Sequence, residues 1–151
     1  MRRSAMLGTA PLLVFLLGVG PCGPITGGRL SGTVYDDPQP NWAALVESTS
    51  FCEVEVRPSD PYSFTAVCFD VDGALHVGAS AASEKSWPGY VAADDSVRVR
   101  FDDAIYPRRA VLLTDPAERA AAYQAKRARM GLSSEGAQPE DDHSLYRLDP
   151  A

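Results

Sequence analysis

The segment Phe51-Cys52-Glu53-Val54-Glu55-Val56-Arg57 alternates strictly, with Cys52, Val54 and Val56 on one side and Glu53, Glu55 and Arg57 on the other. A period of two marks a strand with one buried face. Pro58-Ser59-Asp60-Pro61 supplies turn chemistry. Tyr62 to Val71 is then apolar at nearly every position, as in a strand covered on both faces. The two segments predict a hairpin folded about Asp60, with Val56 opposite Phe64, Val54 opposite Ala66 and Cys52 opposite Cys68. The cysteines are then either bonded, closing a loop of ~17 residues worth about 3 kcal/mol, or two small buried hydrophobes.

Working outward toward the C-terminus, Asp72-Gly73 is the next turn and Ala74 to Ala79 the third strand. Ser80 to Ser83 is a small, polar loop, and Trp87 to Ala93 predicts a short helix that tolerates Pro88 in its first turn. Ser96 to Phe101 alternates again, Val97, Val99 and Phe101 inward, Arg98 and Arg100 outward. Asp102-Asp103 turns the chain into Ala104-Ile105-Tyr106, and Arg109 to Thr114 is a further strand. Asp115-Pro116-Ala117-Glu118 starts a longer helix: Asp115 caps, Pro116 suits the first position, and Glu118 favours the first turn. The helix runs to about Met130 and stops at Gly131, with Lys126, Arg127 and Arg129 near its negative end. Ser133 to Asp142 is polar, and Leu145 to Leu148 forms a closing strand. The order predicts a mostly β, α+β domain: a small antiparallel barrel with a short helix and a longer C-terminal helix at its edges.

Working outward toward the N-terminus, Trp42 to Val46 predicts a short helix that opens the domain, residues 42–151. Residues 22–41 are rich in glycine, proline and small polar side chains, the composition of a flexible tether. Residues 1–21 read as a secretory leader: Met1-Arg2-Arg3 is a positive start, and Ala5 to Val19 is uncharged and apolar. The apolar stretch is shorter than the ~20 residues a membrane span needs. Val19-Gly20-Pro21-Cys22 resembles the lipobox of bacterial lipoproteins. Cys22 is then either a lipid-bearing residue or a plain thiol beyond a cut made elsewhere. The chain has three cysteines, so a lipidated Cys22 leaves Cys52 and Cys68 as an even pair in an oxidising compartment. The expected location is the outer side of a bacterial membrane, periplasmic or extracytoplasmic.

The chain carries 14 basic and 20 acidic residues, a net charge of −6. Losing Arg2 and Arg3 with the leader brings the charge to about −8. Such a surface repels phosphate backbones, and no basic stripe with interleaved aromatics offsets it, so nucleic-acid binding is excluded. His76 and His143 have no companions at metal-ligand spacing, so no metal site is expected. Glu140-Asp141-Asp142-His143 lacks the glycine-punctuated spacing of a calcium loop and reads as a solvated charge run. Nothing in the sequence has the form of a nucleophile elbow or a glycine-rich phosphate loop.

Several pieces in order resemble the split β-barrel superfamily of flavin-binding proteins, which includes pyridoxamine 5′-phosphate oxidases and deazaflavin-dependent nitroreductases. They are Asp72-Gly73-Ala74-Leu75-His76-Val77, the small-residue loop, Trp87 with its short helix, Asp95 to Arg100, and Ala110 to Glu118. The similarity covers Trp42 to Leu148, and the leader with its glycine-rich sequel resembles a lipoprotein branch. It implies a split barrel that binds FMN or a deazaflavin, pairs as a homodimer, and serves a redox role on an unknown substrate. The family's Ser-Arg-Lys phosphate sequence matches Ser83, Glu84 and Lys85, with an anion where the family has a cation. Ser80 is placed within reach of the same phosphate, and Trp87 at the cofactor edge. The alternatives are ordinary loop serines, a solvated lysine and a core tryptophan. Arg98 and Arg100 either bind a phosphate or carboxylate, or form the solvated or dimer-facing side of a strand. The competing function is a cofactor-free barrel acting as a binding or structural lipoprotein.

Overall fold

The computed structural model describes residues 27–151. The leader and Cys22 lie outside the described residues. Eight strands and three helices follow one another as β1 (Thr33–Val34), α1 (Trp42–Ser48), β2 (Cys52–Val56), β3 (Tyr62–Ala66), β4 (Cys68–Val71), β5 (Ala74–Ser80), α2 (Trp87–Ala93), β6 (Ser96–Phe101), β7 (Ala104–Leu112), α3 (Pro116–Arg129) and β8 (His143–Pro150). A single 3-10 turn, Ala82–Glu84, sits between β5 and α2.

The sheet order is β3-β2-β6-β7-β8-β5-β4, antiparallel at each pairing, with β1 added parallel to β7. The two end strands, β3 and β4, are separated in sequence by Val67 alone. A sheet whose edges are joined by one residue must curl until those edges meet, so the order itself dictates a barrel. Val54, Val77, Val99, Leu75 and Phe101 fill it, and Trp42 and Trp87 close it from α1 and α2. Each such side chain contributes about 1.5–3 kcal/mol on burial. A second cluster, Phe69, Leu113, Ala122 and Leu145, holds α3 against the outside of the sheet.

The long apolar run Tyr62 to Val71 is therefore two strands at opposite edges. β2 begins at Cys52, opposite Ala66, so beyond Ala66 the chain has no partner there and crosses to pair with β5. The hairpin register also differs from expectation: Val56 faces Tyr62, Val54 faces Phe64 and Cys52 faces Ala66. The cause is the turn, where Arg57 adopts a left-handed conformation (φ 58°) and its carbonyl accepts from the Asp60 amide at 3.0 Å. A two-residue slip preserves faces, so the inward set survives. Cys52 and Cys68 are bonded, with Cα atoms 5.8 Å apart. The disulfide joins β2 to β4 across the barrel's seam rather than bridging a directly opposed pair.

Residues 27–41, whose composition reads as tether, lie along the barrel. Gly27 exchanges backbone hydrogen bonds with Ser63, Leu30 is buried, Thr33 and Tyr35 bond to β7 and the turn before it, and the Asp37 carbonyl accepts from Arg108 at 2.6 Å. Gly32 is required there, because a Cβ would collide with the Asp103 carbonyl. Packing thus begins well before Asn41. This strap also explains why Glu55, on the outward side of β2, is only 2% exposed. Its carboxylate accepts from the Leu30 amide at 2.5 Å and from Arg98 at 3.0 and 3.1 Å.

α3 forms as its caps require: Asp115 accepts from the amides of Ala117 and Glu118, and Gly131 follows its end at φ 69°. The segments 104–106 and 109–114 are one strand, β7, that passes through Pro107. Pro107 falls between the stretch paired with β1 and the stretch paired with β8, where one side of the strand has no neighbour. No helix of the described residues is long and apolar enough to cross a membrane.

Candidate functional site

The strands β3 and β5, the segment leading into α2 and the last turns of α3 surround a cleft of about 500 Å³. That size is typical of small-molecule sites. Phe64 and Trp87 supply apolar wall, Gly78 and Ser80 the β5 side, and Lys85 and Lys126 two ammonium groups.

Three of the residues singled out in the sequence meet here: Ser80, Lys85 and Trp87. Lys85 Nζ donates to the Ser80 carbonyl at 2.5 Å. Ala81, held left-handed at φ 49°, turns the chain sharply between them. Trp87 is only 6% exposed; it stacks on Phe64 with centroids 4.7 Å apart and lies 5.3 Å from Tyr146. It anchors the core and also lines the cleft. Ser83 is not among the cleft's walls. Its hydroxyl and amide donate to the Asp142 carboxylate at 2.7 and 2.8 Å, which holds that carboxyl below its ordinary value. Glu84 does line the cleft, beside Lys85. Arg98 and Arg100 are engaged elsewhere: Arg98 with Glu55, and Arg100 with Glu53 and the Ser31 carbonyl.

Lys126 is the residue that sequence reading placed only as a partner for the helix dipole. It is 7% exposed, and its Nζ lies 3.1 Å from Ser80 Oγ and 3.0 Å from His143 Nε2. A signal for it existed. Ala122 and Lys126 are four apart, so the lysine lies on the helix stripe that Ala122 buries. Gly78 was the second signal, since a Cβ there would come within 2.9 Å of Leu145 and 3.4 Å of the Lys126 side chain. The glycine lets Lys126 lie across β5.

Neither Lys85 nor Lys126 forms an ion pair with a carboxylate among the described residues. Burial pushes the Lys126 amine below the ordinary lysine value, and the Lys85 charge pushes it further. His143 is lowered to about 4 by burial, then by the charges of Lys126, Arg119 and Lys85, against a smaller opposing effect of Asp142. At neutral pH its imidazole is uncharged, and Nε2 accepts from Lys126. His76 is occupied elsewhere: Nδ1 lies 2.9 Å from the Ala74 carbonyl and the ring stacks on Phe69. The cleft thus offers donors and positive charge beside aromatic surface, which suits a ligand with an anionic end and a flat apolar body.

Solved structures share this architecture at low identity. A Listeria innocua protein provisionally named pyridoxamine 5′-phosphate oxidase matches with a TM-score of 0.52 at 15% identity, covering 71% of this chain and 88% of that one. A pyridoxamine 5′-phosphate oxidase-related, FMN-binding protein of Nostoc punctiforme matches with a TM-score of 0.51 at 14% identity, covering 71% of this chain and 75% of that one. The fold is the split β-barrel. No protein-family model matches the chain, and no curated protein does.

Proposed function

We propose that this split barrel binds a flavin-type cofactor, FMN or a deazaflavin, in the cleft, and serves a redox role on an unknown substrate. The observation that carries the reading is a cationic cleft, with no carboxylate paired to its two lysines, in a fold that the FMN-binding Nostoc protein shares. Ser80 and Lys85 hold the cofactor's phosphate end, and Trp87 and Phe64 border its ring system. A bound flavin supplies the electron or hydride transfer itself. The protein's side chains bind it, orient it and shield it from water. A second copy of the chain completes the site in a homodimer, and a lipid on Cys22 holds the pair at the outer side of a bacterial membrane.

A second reading, a cofactor-free barrel acting as a binding or structural module, draws on two observations: Glu84 puts a carboxylate into the same cleft, and Ser83 is committed to Asp142. Fluorescence titration of the full chain with FMN and then with a deazaflavin separates the two. Saturable micromolar binding, weakened at least tenfold by Lys85→Ala, supports the cofactor site. Absence of binding by both moves the protein to the second reading.

A further inference from the structure

We infer that Lys126, Ser80 and His143 form an anion seat at the buried side of the cleft, built to take a phosphate or similar oxyanion. The inference deepens the cofactor reading and rests on it only for the source of the phosphate, a nucleotide-type cofactor or a free phosphorylated molecule.

The geometry carries it. An ammonium has three N–H donors, and Lys126 uses two, on Ser80 Oγ and His143 Nε2. The third has no protein acceptor among the described residues, and the amine lines the cleft. Burying a cation without a counter-charge is costly, and proteins otherwise pair it. Here the charge that acts on it is a second cation, Lys85, which donates to the Ser80 carbonyl. Gly78 keeps the space the lysine occupies. Ser83, matched by resemblance to a phosphate ligand, has its hydroxyl held by Asp142 instead, which leaves the donors of Lys126, Lys85 and Ser80 for an anion here.

An oxyanion on this seat would accept from Lys126, Lys85 and the Ser80 hydroxyl. It would also favour protonation of His143, whose imidazole is kept neutral by burial and by Lys126, Arg119 and Lys85, with Asp142 opposing. Anion binding is therefore coupled to proton uptake. The chain has only two histidines, and His76 on β5 is engaged by Ala74 and Phe69, which makes it an internal reference.

The test is an NMR titration of the two imidazoles in the full chain, in sulfate and in chloride of equal ionic strength. Sulfate does not itself titrate in this range. The expected result is a rise of one unit or more in the His143 midpoint with sulfate, none at His76, and loss of the rise in Lys126→Met. The same variant should keep or raise the melting temperature, since it removes an uncompensated buried charge; a purely structural lysine would lower it. An unmoved His143 in 50 mM sulfate overturns the seat. So does sulfate binding that survives Lys126→Met. His143→Gln, read by sulfate protection against thermal unfolding, covers failure of the lysine variant to fold: protection undiminished in it contradicts the proposal. FMN then identifies the source. FMN competing with sulfate places the cofactor's phosphate on the seat. Sulfate binding without FMN binding keeps the seat and removes the flavin reading. FMN binding equally to wild type and Lys126→Met keeps the flavin reading and removes the seat.

Discussion

Two charged regions of this barrel are built on opposite rules. On the outer face of β2 and β6, every charge has a partner: Glu55 with Arg98, Arg29 and the Leu30 amide, and Glu53 with Arg100. At the cleft, Lys126 and Lys85 bond to hydroxyl, carbonyl and imidazole acceptors, and neither is paired with a carboxylate, although Glu84 also lines the cleft. Paired charge under a strap holds structure together. A buried ammonium without a counter-charge, beside open volume, is left for something that arrives. Truncation should therefore cost stability but not binding at the first region, and binding but not stability at the second.

The largest expected effect is at the paired face. Glu55→Ala strands the Arg98 guanidinium and an amide, and should cost about 3 kcal/mol in urea unfolding, near the lower end for a broken buried pair because Arg98 is partly exposed. Ligand affinity should be unchanged. Next comes the seam: Cys52→Ser should cost about 2–3 kcal/mol, again measured by urea unfolding, since β4 is then held to the opposite edge only by Val67 and core packing. Gly78→Ala joins the two regions. Crowding Leu145 and Lys126, it should cost about 1–2 kcal/mol and also weaken FMN binding at least fivefold by titration. A loss of stability with affinity intact would show that the position of Lys126 does not matter.

The smallest effect sharpens the contrast most. Lys126→Met should leave stability unchanged or raise it by about 1 kcal/mol while sharply reducing the preference for phosphorylated ligands. The pH dependence of stability has a matching sign. The folded value of His143, about 4, lies below the unfolded imidazole value of 6.5, so the unfolded chain binds more protons in between. Its contribution is complete above pH 6.5 and is lost as pH falls toward 4, at no more than about 1.4 kcal/mol per unit. His143→Gln should flatten this slope in thermal melts, and sulfate should reduce it in the wild type.

The strands and α3 were legible because each rests on a local rule: alternation for β2 and β6, and a cap with proline at the first position for α3. The break at Val67 was not, because a run apolar at nearly every position suits one long strand as well as two, and only the length of β2 decides. The strap was not legible either, since glycine-rich composition describes a tether until Leu30 finds Glu55. At the site, Ser80, Lys85 and Trp87 lay near one another in sequence. Lys126 and His143 come from α3 and β8, and only the closed sheet brings them to Ser80.

The central claim, a cleft whose buried lysine takes a phosphate, is tested most directly by comparing FMN with riboflavin on the full chain, wild type and Lys126→Met, by flavin fluorescence. The account predicts at least tenfold tighter binding of FMN than of riboflavin to the wild type, and a preference at least fivefold smaller in the variant, where Lys85 and Ser80 remain. Equal binding of FMN and riboflavin to the wild type would contradict it.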